Sequence, residues 1–251
     1  MPFLIGTHRS KLSTVLADEG IDPVIISTSS GSNNLTLGGT ATVNSPPSLV
    51  VGNALIAIVA SGPQTFTTPT GWALYSTKAA SGNSPQITVF TKVVTTLDVM
   101  TFGLTFSFVP SANSDAVNVA ILQIASENTA NPINTNFAKY TSTAATTIGT
   151  AAVSIPTVLN CLPIAISSIQ QLSLSNAGNP TSLTSGWTGQ SLVVQQDTNN
   201  YGNTGNNNGY NALYIASGPL TVNISSAITA GWTWGGGSSN FTGTSVMLFV
   251  T

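Results

Sequence analysis

The amino-acid sequence predicts an all-β protein, a jelly-roll-like β-sandwich built from two related halves with a short N-terminal arm. Three observations lead to this class. Short apolar runs recur along the whole chain, and clusters of Gly, Pro, Asn and Ser separate them at intervals of roughly 8–15 residues. Several of the runs also alternate apolar and polar side chains with a period of two, which is the repeat of a half-buried strand.

The predicted strands follow one another along the body, where no segment has a convincing helical period. They cover residues 24–28, 34–43, 54–60, 72–77, 86–94, 99–108 and 116–125, and then 151–155, 162–169, 187–195, 212–216, 220–224, 231–234 and 245–250. Within 101–108 the alternation places four large apolar side chains on one face: Phe102, Leu104, Phe106 and Phe108. The longest clean apolar runs, such as Ala54–Ala60, are far shorter than the ~20 residues of a bilayer-crossing helix, so no membrane span is expected.

The body, residues 22–251, contains an internal repeat. The run 53–60 is followed by a polar loop and the pair Gly71-Trp72, and the run 161–167 is followed by a polar loop and the pair Gly186-Trp187. Two related units of about 50–126 and about 157–251 are therefore predicted. Two facing halves of one sandwich are our preferred interpretation, because no charged or Pro-rich linker separates them, and two small sandwiches are the alternative.

Residues 1–21 form a separate N-terminal arm. The stretch 10–19 fits a short helix that ends at Gly20, with apolar residues on one face. We interpret the arm as a docking element that contacts another subunit; a frayed tail is the alternative. The residues expected to make that contact are Phe3, Leu4, Arg9, Leu12, Val15 and Leu16.

Charged side chains make up 5% of the chain, against a usual share of about 25%. Five of the twelve fall within the first 22 residues, so Ser, Thr, Asn, Gln and Gly must form most of the body's surface. The net charge of −2 and the lack of clustered Lys and Arg argue against nucleic acid as a partner. A neutral hydroxyl and amide surface suits a protein that is packed in an assembly or stands outside a cell.

Catalytic and metal-binding constellations are nearly absent from the sequence. His8, in the arm, is the one histidine, and Cys161 is the one cysteine. The acids of the body, Asp98, Asp115, Glu127 and Asp197, are not expected to converge in one cleft as a glycosidase would require. The sequence therefore predicts a non-enzymatic protein without a metal or a cofactor.

Aromatic and amide side chains supply the candidates for ligand or partner contact. Trp232 and Trp234 are two residues apart and share one face of a strand, where they stack on a sugar, meet another subunit or fill the core. The Asn-rich segment 199–211 either displays groups to a partner or is a solvated excursion between strands; its candidate contact residues are Tyr201, Asn206, Asn207, Asn208 and Tyr210. Trp72 and Trp187 are interpreted as core plugs at the end of the sandwich, with sugar stacking as the alternative.

Four segments carry a resemblance to a known group of proteins: residues 53–60, Thr68-Pro-Thr-Gly-Trp72, residues 89–93 and Val117–Ile124. They resemble the β-sandwich virion surface proteins of tailed bacteriophages, of the tail-fibre, tail-tip and capsid-decoration type with Gly-Trp repeat units. The resemblance covers most of 50–126 and, more weakly, 157–251. The second half departs from it, since Thr184-Ser185 replaces the Pro-Thr before Gly-Trp and no Lys matches Lys92.

The resemblance implies a non-enzymatic structural protein on the virion surface, either a capsid decoration or head fibre, or a tail appendage that contacts the host. Its expected partners are other virion proteins and further copies of itself, with a trimer favoured, and a host surface glycan for a tail appendage. The charges follow the short apolar start of the chain, unlike in a signal peptide, so assembly in the host cytoplasm is expected. The alternative is a bacterial extracellular carbohydrate-binding module or filament subunit, which would need secretion.

Overall fold

The computed structural model describes residues 22–33, 39–62, 64–78, 85–111, 117–125, 132–143, 147–149, 161–171, 180–185, 190–198, 210–218, 230–234 and 241–251. Within these residues the chain forms sixteen strands and one short helix, and all the paired strands are antiparallel. The sequence-based prediction of an all-β sandwich is confirmed. Its jelly-roll connectivity stays a prediction, and the N-terminal arm lies outside the described residues.

The first unit contains eight strands and the helix. They are β1 (Val24–Ser32), β2 (Ala41–Asn44), β3 (Ala54–Ser61), β4 (Phe66–Thr67), β5 (Ala73–Lys78), β6 (Gln86–Val93), α1 (Thr96–Met100), β7 (Thr105–Pro110) and β8 (Asn118–Ala125). Five strands form one sheet in the order β1-β8-β3-β6-β5, and three form a second in the order β2-β7-β4. The chain thus passes repeatedly between a large and a small sheet.

The second unit has the same plan. Its strands are β9 (Ile133–Thr143), β10 (Thr147–Gly149), β11 (Leu162–Gln171), β12 (Pro180–Ser185), β13 (Ser191–Thr198), β14 (Tyr210–Ser217), β15 (Ala230–Trp234) and β16 (Phe241–Val250). The sheets have the orders β9-β16-β11-β14-β13 and β10-β15-β12, which match the first unit strand for strand. The repeat is therefore longer than the sequence pattern indicated, since two strands precede the long apolar run, 53–60 or 161–167, in each unit.

The strand register extends this match to single residues. Ile56 pairs with Leu122 in the first unit, and Ile164 pairs with Leu248 in the second. The edge strands β5 and β13 are both irregular at the same point, after Leu74 and after Leu192. By this register Gln190, directly before β13, corresponds to Trp72, directly before β5. Trp187 lies outside the described residues.

The two five-stranded sheets face each other across a shared core. Strand β14 lies against β3 and β8, and β16 lies against β6, so the large sheets of the two units pack face to face. The buried residues of this core are Ile56, Ile58, Ala60, Ile87, Val89, Ala120, Leu122 and Ile124 from the first unit, and Ile133, Leu162, Ile164, Ile166, Val194, Leu213, Ile215, Val246, Leu248 and Val250 from the second. Burial of this apolar area is what joins the halves.

A second core lies on the opposite face of the first five-stranded sheet, beneath its three-stranded partner. Leu55, Ala57 and Val59 point into it, whereas their neighbours on β3 point into the shared core. Strand β3 is thus buried on both faces, which explains its unbroken apolar sequence. Trp72 is a core plug of this region, as the sequence indicated: its ring packs edge-on against Phe106 with centroids 5.1 Å apart.

The strands predicted over 34–43 and 99–108 are not borne out in full: β2 starts only at Ala41, and residues 39 and 40 are not in a strand. Residues 99–108 do not form a continuous strand, because the helix α1 includes Val99 and Met100, and β7 starts at Thr105. Phe106 and Phe108 are buried as the alternation predicts, but Phe102 is fully exposed in the turn between helix and strand. The helix starts at a capping box formed by Thr95 and Asp98, and this local signal overrides the period-two pattern.

Candidate functional site

The most prominent surface feature of the described residues is a group of exposed apolar side chains at one end of the first unit. We call this group the apolar end surface; it consists of Val50, Val51, Val93, Leu97, Val99, Met100 and Phe102. Leu97 is 75% exposed, Met100 78% and Phe102 104%. From these exposures the group presents roughly 600–800 Å², more than the largest apolar patch of a typical monomer.

Two chain segments meet to form the apolar end surface. One is the turn 50–53 that leads into β3, and the other is the segment 93–102 that follows β6 and contains α1. Their backbones are joined directly: the amide of Gly52 donates to the carbonyl of Val94 over 3.0 Å, and the amide of Val94 donates to the carbonyl of Asn53 over 2.9 Å. The two segments that carry the exposed side chains are therefore adjacent at one end of the sheet.

The first of these segments is held by the buried side chain of Gln123 on β8. Its amide oxygen accepts from the backbone N–H of Val50 over 2.8 Å. Its amide nitrogen donates to the carbonyl of Ser48 over 3.2 Å and to the hydroxyl of Ser27 over 3.0 Å. Because a buried amide is costly to leave without partners, these three bonds fix the course of the turn that displays Val50 and Val51.

The turn itself has a special backbone geometry. Ser48 has φ 57° and Gly52 has φ 91°, both in the left-handed region. Glycine adopts this region easily, whereas a residue with a Cβ atom is strained there. The bonds to Gln123 are thus what holds Ser48 in place, and they determine where the two valines point.

The second segment is held by a capping box at the start of α1. The Asp98 carboxylate accepts from the backbone N–H of Thr95 over 2.8 Å and from its hydroxyl over 2.8 Å. The Thr95 hydroxyl oxygen in turn accepts from the backbone N–H of Asp98 over 3.3 Å. These bonds satisfy N–H groups that a helix start otherwise leaves free, and they allow a helix of a single turn to form.

An ion pair anchors this helix to the sheet. Lys92 Nζ lies 3.1 Å from Asp98 Oδ2, and the two side chains are only 9% and 10% exposed. Burial by itself raises the pKa of Asp98, but the hydrogen bonds from Thr95 and the bond and charge of Lys92 outweigh it, so the pKa is lowered from its ordinary value. Lys92 leaves no room at Gly71, where a Cβ atom would come within 3.0 Å of the ammonium group.

At this end of the unit, the buried polar side chains and the exposed apolar side chains are turned to opposite sides. Polar and charged groups, chiefly Gln123, Lys92 and Asp98, are turned inward and paired, while the large apolar side chains of the same segments are turned outward. Outward apolar side chains do not contribute to folding, because folding does not remove their area from water. This geometry can bind another apolar surface, and the one carboxylate of the two segments, that of Asp98, is held by Lys92.

Reactive groups elsewhere in the described residues do not form a site. These residues contain no group of three or more His, Cys, Asp or Glu side chains that could hold a metal ion. Asp98 is paired with Lys92, whereas Asp115, Glu127 and the side chain of Asp197 lie outside the described part of the chain. Cys161 is buried, and that burial raises the pKa of its thiol, so it is a poor nucleophile. None of the described helices has the length and hydropathy to cross a membrane.

The contact residues proposed from sequence are only partly described. Trp232 and Trp234 lie on β15, the middle strand of the second three-stranded sheet; Trp232 pairs with Ile148 and Leu183. Tyr210 begins β14. The side chains of these three residues lie outside the described part. The other candidates lie outside it altogether: Tyr201, Asn206, Asn207 and Asn208, and the arm residues Phe3, Leu4, Arg9, Leu12, Val15 and Leu16. Their roles stay predictions.

The apolar end surface was missed by the sequence reasoning. Its residues sit within apolar runs, and the sequence pattern does not distinguish an exposed valine at a turn from a buried one in a strand. One signal was available: Thr95-Thr-Leu-Asp98 has the spacing of a capping box, which predicts a helix start instead of a strand. That reading would have turned Leu97, Met100 and Phe102 away from the core face.

Comparison with known proteins gives no relative for this chain: no family model, no curated protein and no solved structure matches it.

Proposed function

We propose that this chain is a non-enzymatic structural protein on the surface of a tailed-phage virion, either a capsid decoration or head fibre, or a tail appendage that contacts the host. It acts as a homo-oligomer, with a trimer favoured, and binds other virion proteins. Its work is to form a stable, nearly uncharged β body that is fixed to the particle. The resemblance of residues 53–60, 68–72, 89–93 and 117–124 to phage surface proteins supports the virion setting.

The observation that carries the assembly role is the apolar end surface. Several large side chains are exposed together on a body with few charges, which is unfavourable for a protein that stays free in solution. The same segments are fixed by Gln123 and by the pair Lys92–Asp98, so the display is built into the fold. A surface that is rigid, apolar and uncovered is what a docking site requires.

Purified particles test this proposal. Phage particles that carry the gene would be purified through a density gradient, and the chain would be sought by mass spectrometry and by electron microscopy with a gold-labelled antibody. We expect the chain in a fixed stoichiometry with the major capsid protein and the label at a regular position on the head or on the tail. Absence of the chain from intact particles would refute the proposal.

The N-terminal arm supplies a second readout. We propose that residues 1–21 attach the body to a neighbouring subunit. A chain that lacks these residues should keep the β-sheet circular dichroism of the full chain and fail to join particles. Normal incorporation would show that the arm is a tail without an assembly role, and loss of the circular dichroism would show that it belongs to the core.

A further inference from the structure

The outward side chains of the apolar end surface need an occupant, and we infer that it is a second copy of this chain. This inference rests on the proposed assembly role and names the partner that the surface binds. The exposed side chains that would be covered are Leu97, Met100 and Phe102 on one segment and Val50 and Val51 on the other. The contact would thus be made by the two loops at the end of the first unit.

The charges around this surface do not oppose a second copy, and they offer nothing to a charged partner. A surface that meets its own copy brings like charges together, so exposed charge of one sign would oppose the contact. Asp98 is the one charged side chain within the segments; it is paired with Lys92 on β6, and both are about nine-tenths buried. The segments themselves therefore present no exposed charge to a charged peptide, a phosphate or a nucleic acid, whereas a second copy requires none.

The area of the surface also fits a copy. The exposed residues present roughly 600–800 Å², and a stable protein interface buries about 800 Å² on each partner. A small ligand would cover only part of this area. When copies meet around a symmetry axis at this end, each covers the surface of its neighbours with its own, so one surface accounts for the contact in a dimer and in the favoured trimer.

The supporting bonds lower the cost of such a contact. Association is weakened when loops must become ordered, and each rotamer-rich side chain that is immobilised adds to the loss. Here the backbone is already fixed, by Gln123 in the turn and by Thr95 and Asp98 at the helix start. Phe102 and the two valines have few rotamers, so little side-chain entropy is lost when they are covered.

The test compares two variants of the full chain. The first carries Met100→Glu and Phe102→Glu, which places like charges in the contact between copies. The second, the matched control, carries Leu192→Glu, at an exposed leucine on the edge of the second unit. Both changes are at exposed positions, so both variants should keep the circular dichroism of the wild type. Mass would be measured by light scattering and by sedimentation over a range of concentrations.

We expect the wild type and the control to form oligomers, and the double variant to associate at least about 30-fold more weakly, as loss of an interface anchor does. Unchanged association of the double variant would overturn the inference, as would a wild type that is a monomer at every concentration. If such a monomeric wild type still joins particles and the double variant does not, the surface binds another virion protein: the inference and the proposed homo-oligomer fail, while the proposed role on the virion surface stands. If the chain is absent from particles but its oligomers need Met100 and Phe102, the function fails while the inference stands.

Discussion

Removal of the buried Asp98 carboxylate should destabilise the protein and loosen the end of the first unit. The change Asp98→Ala leaves Lys92 buried without its partner and removes the acceptor for the Thr95 N–H. Breaking a buried pair typically costs 3–5 kcal/mol, and loss of a helix cap costs about 1 kcal/mol. Because the pair is about 10% exposed, we expect a loss near the lower limit, about 3 kcal/mol in the free energy of unfolding.

A double-mutant cycle separates the pair from its surroundings. Lys92→Met alone should cost about 2 kcal/mol, since it leaves the Asp98 charge bonded only to Thr95. The double variant Lys92→Met/Asp98→Ala should lose less free energy of unfolding than the sum of the two single losses. The difference should be about 1.5 kcal/mol or more, because no charge is left buried without a partner. Urea unfolding followed by circular dichroism measures all four proteins, with Asp22→Asn as a control at an exposed carboxylate.

The pH dependence of Asp98→Ala provides the check on mechanism. The pKa of Asp98 is lower in the folded protein than its ordinary value, so its contribution to stability is complete above that value and is lost as the pH falls through the folded pKa. The difference between wild type and Asp98→Ala should therefore be largest near pH 7 and should shrink below about pH 4. Additive single changes, or a difference that is independent of pH, would refute the role of the ion pair.

Two further predictions concern the turn and the shared core. Gln123→Met should lower the free energy of unfolding by about 2–3 kcal/mol, because it removes the three hydrogen bonds of the Gln123 side chain. It should also speed hydrogen exchange at the Val50 amide. Unchanged protection of that amide would contradict the role of Gln123 in holding the turn. Ile58→Ala and Ile166→Ala should each lower the free energy of unfolding by about 2–5 kcal/mol. The two losses should be similar, because both side chains are buried in the same core between the units. Urea unfolding measures both, and a small loss at either isoleucine would show that the units do not depend on that contact.

The general plan of this protein could be predicted from sequence because it depends on patterns that the chain itself carries. Apolar runs of strand length, separated by turn residues, predict an all-β fold whatever the detailed topology. The matching runs 53–60 and 161–167 indicate the repeat, because both are strands buried on two faces and no polar residue is tolerated along most of their length. Gly71-Trp72 likewise indicates a core plug.

Exposure could not be predicted in the same way. Val50, Met100 and Phe102 belong to the same residue classes as the core, and only the path of the chain decides on which side they lie. That path depends on Gln123, whose partners are far away in sequence: Gln123 bonds to Val50 across 73 positions. A single sequence gives no pattern for such a bond.

The sequence by itself determined the fold class, the repeat and the near absence of charge, because these follow from local periodicity and composition. Only the tertiary structure decided that each unit has its own pair of sheets, that the five-stranded sheets join across a shared core, and that seven apolar side chains of the described residues are exposed at one end. The physical reason is that hydrophobic burial has no direction: the sequence records which residues favour burial, and the assembled sheets determine which of them achieve it.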